Sequence, residues 1–490
     1  LIREDGKMRK GFSRNYDPIK ILTNSQVEAI HRGTLDVLEK KGVQFESEKA
    51  LKILEKNGCT VDYESKIAKI PEFLVEECIR KSPSSFSVKA RDPKDDLRVG
   101  GNVLYFMPGA GSRHFDIDAD EVRVPTFKEN NDAVLIADAL ETVDFFPSYT
   151  PYFEIEEVEP VMLCPTSLAS RIRYTSRVSR GAQATETYIW ETQLAQAVGQ
   201  QLLGVMDASP PLTWSEDALN AGFEYTNAGF PIMVASGGVM GGTAPVTIAG
   251  ATISNNVECL SAIVFLQCVR PGTGILVNDF ILPMNMQNGS IAFGSMAQSL
   301  QVMAFNQIWK GLYDIPTFIS NSGYPSSKRI DYQCAYEKMH ISLVSALSGA
   351  NGILFHGSVS SELSYNPILS IIEDDVANII GRIIEGFEVN NETMAVELIE
   401  EVGSIPGTFL NKKHTRDNWK KDLFIPQVAD RVPYQEWART GKKSVIERAK
   451  ERMEEILKSH KPSPITPEQD KDIDRILSEA RKYYKKKELL

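Results

Sequence analysis

Ser236-Gly-Gly-Val-Met-Gly-Gly-Thr-Ala-Pro-Val-Thr247 follows directly on the apolar, β-prone run Pro231–Ser236 and leads into the long apolar stretch Val246–Cys268. A strand that ends in a glycine-rich turn and passes into a helix is the unit of a parallel βα fold. A second such boundary is Phe355-His356-Gly357-Ser358, at the end of the run Gly352–His356. Working outward gives eight β-prone runs: Val103–Met107, Val143–Tyr149, Tyr174–Val178, Leu202–Ala208, Pro231–Ser236, Gly274–Asn278, Thr317–Asn321 and Gly352–His356. Helical patterns separate the later ones, at Glu216–Asn227, Val246–Cys268, Ser290–Lys310, Gln333–Leu347 and Ile371–Ile384. Eight strands in this rhythm predict an α/β fold, a TIM (β/α)8 barrel, over residues 96–385.

The flanks read differently. Residues 1–95 predict an N-terminal helical region. Ser25-x-x-Glu28 reads as a capping box, Ser47 to Lys56 as a helix stopped at Gly58, and Pro71 as the first turn of a third helix. Residues 386–490 predict a charged C-terminal helical extension, with helices over 443–459 and 470–487 that suit interaction or capping arms.

Composition narrows the function. The 490 residues are 42% hydrophobic and 24% charged, as in a soluble globular protein. A net charge of −11 argues against nucleic acid, which calls for clustered Lys and Arg. Six cysteines without C-x-x-C spacing, a polar N-terminus and the lack of an 18-residue apolar run point to a reducing cytoplasm and to no membrane span. No P-loop, nucleophile elbow, dinucleotide fingerprint or H-E-x-x-H occurs, and no His/Cys spacing suggests a bound metal.

In a barrel, chemistry sits at the C-terminal ends of the strands. There the sequence places Phe106, Tyr149, Arg180, Asp207, Asn278, Phe280, Asn321, Tyr324 and His356, with the loop Gly237, Gly238, Gly241, Gly242. The set is rich in aromatic and neutral polar groups and poor in carboxylates and thiols. That suits a cationic organic ligand held against aromatic faces. Alternation sets His356 opposite Phe355, so the imidazole is a candidate donor to a ligand carboxylate, with Arg180 as a bidentate partner. The glycines would let a bulky planar group approach.

Several motifs, in order, resemble the trimethylamine methyltransferase family: Gly238-Val-Met-Gly-Gly-Thr-Ala-Pro-Val-Thr-Ile-Ala-Gly250, Gln267-Cys-Val-Arg-Pro-Gly272, Asp331-Tyr-Gln-Cys-Ala-Tyr-Glu-Lys338, Ala346-Leu-Ser-Gly-Ala-Asn351, Asp374-Asp375 and Glu388-Val-Asn-Asn-Glu-Thr393. The resemblance implies a TIM barrel that moves a methyl group from a methylated amine to the Co(I) of a corrinoid (cobalamin) carried by a partner protein. The family archetype carries pyrrolysine; this chain has only ordinary residues. That departure points to the non-pyrrolysine branch and to a quaternary amine, with glycine betaine ahead of proline betaine and carnitine. A quaternary ammonium leaves as a neutral amine, so the enzyme need only position and desolvate it. On this reading Phe280, Tyr149 and Phe106 cage the ammonium, His356 and Arg180 anchor a carboxylate, and Asn278 and Asn321 orient the substrate. Gly237, Gly238, Gly241 and Gly242 admit the corrinoid, and no residue acts as acid, base or metal ligand. A homo-oligomer is expected. The rival is a barrel that binds a quaternary amine without catalysis.

Overall fold

Seven parallel strands lie side by side in the order Val103–Pro108, Gly352–His356, Thr317–Ile319, Ile275–Asp279, Ile232–Ala235, Leu202–Asp207 and Ser179–Arg180. The computed structural model describes residues 11–111, 113–149 and 151–490, so part of the expected N-terminal region lies outside the described residues. Segment 143–146 closes the ring. It bridges Phe106 through Val143 and Ser179 through Phe146, both parallel. The closing hydrogen bonds run from Asp144 N–H to Phe106 O (2.9 Å), Phe146 N–H to Val178 O (2.9 Å) and Arg180 N–H to Phe146 O (2.8 Å). The result is the barrel that the βα rhythm predicts.

The second and third staves are shorter than expected, for physical reasons. Pro147 has no N–H to give to a ladder. Asp144 accepts the Phe106 N–H on its carboxylate at 2.9 Å, replacing a backbone pair. Tyr174 closes a helix, Leu163–Tyr174, so the third stave shrinks to Ser179–Arg180 and not Tyr174–Val178.

Side chains alternate between two faces. Phe106, Met206, Val234, Val277, Ile319 and Ile353 point outward into the large core beneath the helices. Tyr105, Phe145, Val205, Met233, Leu276, Phe318 and Leu354 point inward and fill the barrel. The hairpin Ser85–Val88 with Leu97–Gly100 adds Val88 and Val99 to that inner cluster. Its flank meets the strand starts, since Gln201 N–H reaches Lys89 O at 2.8 Å and Arg91 N–H reaches Ser176 O at 3.1 Å. The hairpin therefore plugs the N-terminal end and leaves the other end as the mouth.

Helices Glu216–Ala228, Ile248–Val269, Met296–Gly311, Tyr332–Ser348 and Pro367–Glu385 form the outer layer. Two boundaries move to their capping residues. Ser295 accepts from Gln298 N–H, so that helix opens at Met296 and not Ser290. Asn366 accepts from Ile368 and Leu369 N–H, so the last one opens at Pro367. Helix Ile248–Val269 is long and apolar enough to cross a membrane by length and composition, yet 72% of its most apolar stretch is buried inside the fold. It packs against the helices Asn24–Lys40, Glu48–Lys56 and Glu72–Lys81.

The N-terminal region is not mainly helical. Its three helices share it with the short strands Val43–Phe45, Thr60–Asp62 and Ile67–Lys69, and the first of these pairs with Thr213–Trp214 after the fourth stave. The first helix is capped by Thr23 with Gln26, not by Ser25 with Glu28. At the other end, Val445–Ser459 and Pro467–Lys486 dock on the barrel's own helices, burying Ala449, Ile456, Ile473, Ile476 and Tyr484. They are braces of the wall.

Candidate active site at the barrel mouth

Period-two alternation carries the inner face up to the mouth. Leu203 and Val205 point in, so Asp207 does as well; Leu276 points in, so Asn278 and then Phe280 do. Arg180 enters from the short third stave. Its Nε donates to Ser148 Oγ (3.2 Å) and its Nη1 lies 3.4 Å from the Met233 sulfur, so the guanidinium sits inside the barrel. Among the described residues no carboxylate forms an ion pair with it. Asp207 is fixed through its backbone by Gln183, which accepts its N–H at 2.7 Å and donates to its carbonyl at 3.3 Å. The carboxylate itself is left to the half-open lumen.

Aromatic rings complete the wall. Phe280 meets Tyr324 edge-on at 6.3 Å, and Tyr324 packs on Phe293 at 5.7 Å. Tyr149 stacks edge-on with Phe153 at 4.5 Å. Burial raises the acid groups of Asp207, Tyr149 and Tyr324, and the charge of Arg180 pulls each of them back. Burial likewise pushes the Glu362 carboxyl up to about 7, and its charge reaches Tyr324. Asn278 accepts the Ser320 N–H on Oδ1 at 3.1 Å, which turns its amide nitrogen toward the lumen. The mouth thus brings together a cation without an ion pair, a lumen-facing carboxylate, the rings of Phe280 and Tyr324 and an amide donor, while Tyr149 packs beside it with Tyr152, Ile155 and Leu163.

Other expected residues lie elsewhere. His356 is fully buried on the outer side, with Phe106 at 6.2 Å and Phe355 at 5.6 Å. A register shift between Leu354 and His356 breaks the alternation that would have turned it inward. Its Nε2 lies 2.8 Å from Thr142 Oγ1, which in turn donates to Asp374 Oδ1 at 2.6 Å. Burial pushes its pKa down to about 3. A neutral imidazole enclosed in the wall, bonded to Thr142 and away from the lumen, is no carboxylate anchor. Phe106 also belongs to the outer core, against Phe12 and Phe355. Asn321 braces the neighbouring loop by donating to Ile281 O at 3.2 Å.

Three of the four glycines lie close to side chains of the facing segment. A Cβ at Gly238 would meet Ile281 at 2.8 Å, one at Gly241 (φ +90°) would meet Met286 at 2.8 Å, and one at Gly242 would meet Met284 at 2.8 Å. The loop is thus pressed against the segment 281–286, with Val239–Met240 pairing Leu282–Pro283. Only Gly237 has room around it. Val246 and Met286 stand exposed on this rim, at 60% and 65%.

The quoted motif residues hold the mouth in shape. Lys338 and Glu373 form a buried ion pair, and Lys338 also donates to Ser358 O at 3.1 Å. Glu373 accepts the Gly357 N–H at 2.5 Å, and burial pushes its carboxyl up to about 7 against the pull of Lys338. Asp374 holds Thr142, and Asp375 takes the N–H groups of Gln427, Val428 and Ala429. Sequence reasoning gave no role to Asp207, Tyr324 or Glu362. For Asp207 the signal was present in the 203–205–207 alternation; Glu362 follows two residues in the left-handed region, Ser360 and Ser361, and carried none.

Among the described residues the lumen of this closed barrel presents a guanidinium, a carboxylate and aromatic rings. The architecture agrees with solved structures of a methyltransferase. The monomethylamine methyltransferase MtmB of Methanosarcina barkeri matches with a TM-score of 0.51 at 14% identity, covering 97% of this chain and 99% of that one. MtmB in complex with hydroxylamine gives 0.53 at 13% identity, over 98% and 99%. The sequence matches the model of trimethylamine methyltransferase (MTTB) over residues 3–484, and the chain belongs to that family of methyltransferases. Glycine betaine methyltransferase of Desulfitobacterium hafniense (strain Y51) is 28% identical over 94% of this chain and 97% of its own length. Trimethylamine methyltransferase MttB of Methanosarcina thermophila is 28% identical over 93% and 96%.

Proposed function

We propose that this enzyme takes a methyl group from glycine betaine, or a closely similar carboxylated quaternary amine, for transfer to the Co(I) of a corrinoid protein in the cytoplasm. Residues 96–385 are then the catalytic barrel, and 1–95 and 386–490 its frame. The observation that carries this reading is the Arg180 guanidinium, held inside the lumen by Ser148 and Met233, with no carboxylate in ion-pair contact among the described residues and Asp207 acting on it only at longer range. A substrate that is only a cation could use Asp207 and the rings but would leave the guanidinium without a direct partner. A zwitterion answers it, with its carboxylate on Arg180 and its ammonium toward Asp207 and the rings of Phe280, Tyr324 and Tyr149.

Co(I) supplies the nucleophile when the partner docks at the rim. The residues of this chain do the rest. Arg180 and the Asn278 amide fix the carboxylate, which sets the direction of the N–CH3 bond. The rings strip water from the ammonium, whose positive charge is lost as the neutral amine departs, so a dry, weakly polar surround favours the transition state over the bound cation. The exposed Val246 and Met286 offer the partner an apolar seat beside the opening. The test is to incubate the protein with Co(I) cobalamin and a panel of amines and follow methylcobalamin absorbance. Turnover of glycine betaine in preference to trimethylamine is the expected result. Turnover of trimethylamine alone, or binding of betaine without methylcobalamin, would overturn the reading. Preference for proline betaine or carnitine would keep the Arg180 anchor and change the substrate.

A further inference from the structure

Between Gly386 and Tyr434 the chain leaves the barrel wall and returns to it. It departs at the end of helix Pro367–Glu385 and is tied down again where Asp375 holds residues 427–429. The helices Asn391–Met394, Val396–Val402 and Lys413–Asp422 lie in between, and none of the three has a buried residue. Their apolar side chains face solvent: Ile405 is 95% exposed, and Phe387 and Leu410 are each 88% exposed. Ordering some fifty residues costs conformational entropy that only burial or pairing offsets. An apolar surface this extensive marks an interface. A cavity of about 1040 Å³ opens between the arm and the wall, lined in part by Ile383, Phe387, Leu423 and Phe424.

Place and charge identify the occupant. Asn15 N–H bonds Ile384 O at 3.1 Å, and the adjacent Ser13 pairs with Val103, the first residue of its stave. The arm thus springs from the N-terminal end of the barrel, and a partner working at the mouth is engaged at the opposite end. The arm's charge is also divided. Residues 388–401 carry five carboxylates and no basic residue, while 412–421 carry five basic residues and one aspartate. Within the chain only Lys412–Glu401 and Lys421–Glu388 join the two halves among the described residues. Such a surface is complementary to itself after a two-fold rotation, as an isologous contact requires.

We propose that residues 387–434 are the arm through which two copies of this chain pair, the acidic segment of each lying along the basic segment of the other and the exposed apolar side chains entering the cavity between arm and wall. The test uses the full chain and light scattering at micromolar concentration. The wild-type protein is expected as a dimer. Inverting the acidic segment (Glu397→Lys with Glu400→Lys) or the basic one (Lys413→Glu with Lys420→Glu) should give monomers with unchanged far-ultraviolet dichroism. Mixing the two inverted proteins should restore a dimer made of one of each. Leu410→Ser, at a side chain with no packing to lose in a single chain, should also give a monomer. A monomeric wild type, a dimer indifferent to all three variants, or folded inverted proteins that stay monomeric when mixed would overturn the proposal.

Discussion

The outer and inner faces of the same barrel treat their polar groups in opposite ways. On the outer face, His356, Thr142 and Asp374 form a relay, and Lys338, Glu373, Ser358 and Gly357 form a buried cluster. Each charge there meets a partner from its own chain. On the inner face, Arg180 is held by a hydroxyl and a sulfur, and Asp207 only by its backbone. The first pattern is architecture: a buried charge is costly unless matched, and here Lys338 meets Glu373 and Asp374 meets Thr142. The second is a site, because its charges are positioned and left with valence to spare. Burial alone does not separate the two, for the most buried titratable groups are the ones least able to meet a substrate.

The contrast breaks most strongly at Lys338. Lys338→Met leaves Glu373 buried without its partner, and the expected loss of stability is about 3–5 kcal/mol. Pairing it with Glu373→Gln should recover most of that loss in chemical denaturation. If the single variant is as stable as wild type, the outer cluster does not hold the mouth.

Next comes Glu191, fully buried behind the Arg180 stave, where it accepts from Ala182 N–H at 2.8 Å and Tyr225 O–H at 3.1 Å. Burial pushes its carboxyl up to about 7. Because the folded pKa lies above the unfolded one, the folded state holds the proton more tightly. The associated stability is complete below the ordinary carboxylate range and is lost as pH rises through about 7. Glu191→Gln should therefore flatten the fall in stability between pH 5 and 8, by up to about 3 kcal/mol. An unchanged slope would show that this carboxylate ionises without cost.

The barrel was legible because parallel staves buried on both faces read as continuous apolar runs, and Ile232–Ala235, Ile275–Asp279 and Gly352–His356 do so. The second stave was read too long, since Asp144 replaces a backbone pair and Pro147 lacks an N–H, and the third was read too early, since only Ser179–Arg180 pair with their neighbour. Within the barrel, Arg180, Asn278 and Phe280 lie at the mouth, and Tyr149 packs with Tyr152, Ile155 and Leu163. His356 does not reach the mouth, because a bulge after Leu354 is a tertiary event with no mark in the sequence. Gly238, Gly241 and Gly242 were read as an opening, and the structure sets them against the flexible ends of Ile281, Met286 and Met284, forty residues away. The arm at 387–434 was passed over since its charge pattern resembles any solvated face until its burial is known.

On the inner face the largest kinetic effect belongs to Arg180. Arg180→Met should lower kcat/KM for glycine betaine about 100-fold, chiefly through KM, and leave a carboxylate-free quaternary amine nearly unaffected. Equal losses for both substrates would assign Arg180 to the frame.

Asp207 gives a smaller effect with a more telling sign. If its carboxylate faces the ammonium, it binds the cation more tightly than the transition state, in which that positive charge is fading. Removing the charge with Asp207→Asn then weakens binding, with KM up by about tenfold, while kcat stays level or rises, because the lost interaction belonged to the ground state. A frame residue behaves otherwise: its loss disturbs the Gln183 clamp on this strand end and lowers kcat as the methyl group drifts off line. A fall in kcat with KM unchanged would remove Asp207 from the lumen's electrostatics and leave Arg180 as the charge that selects the substrate.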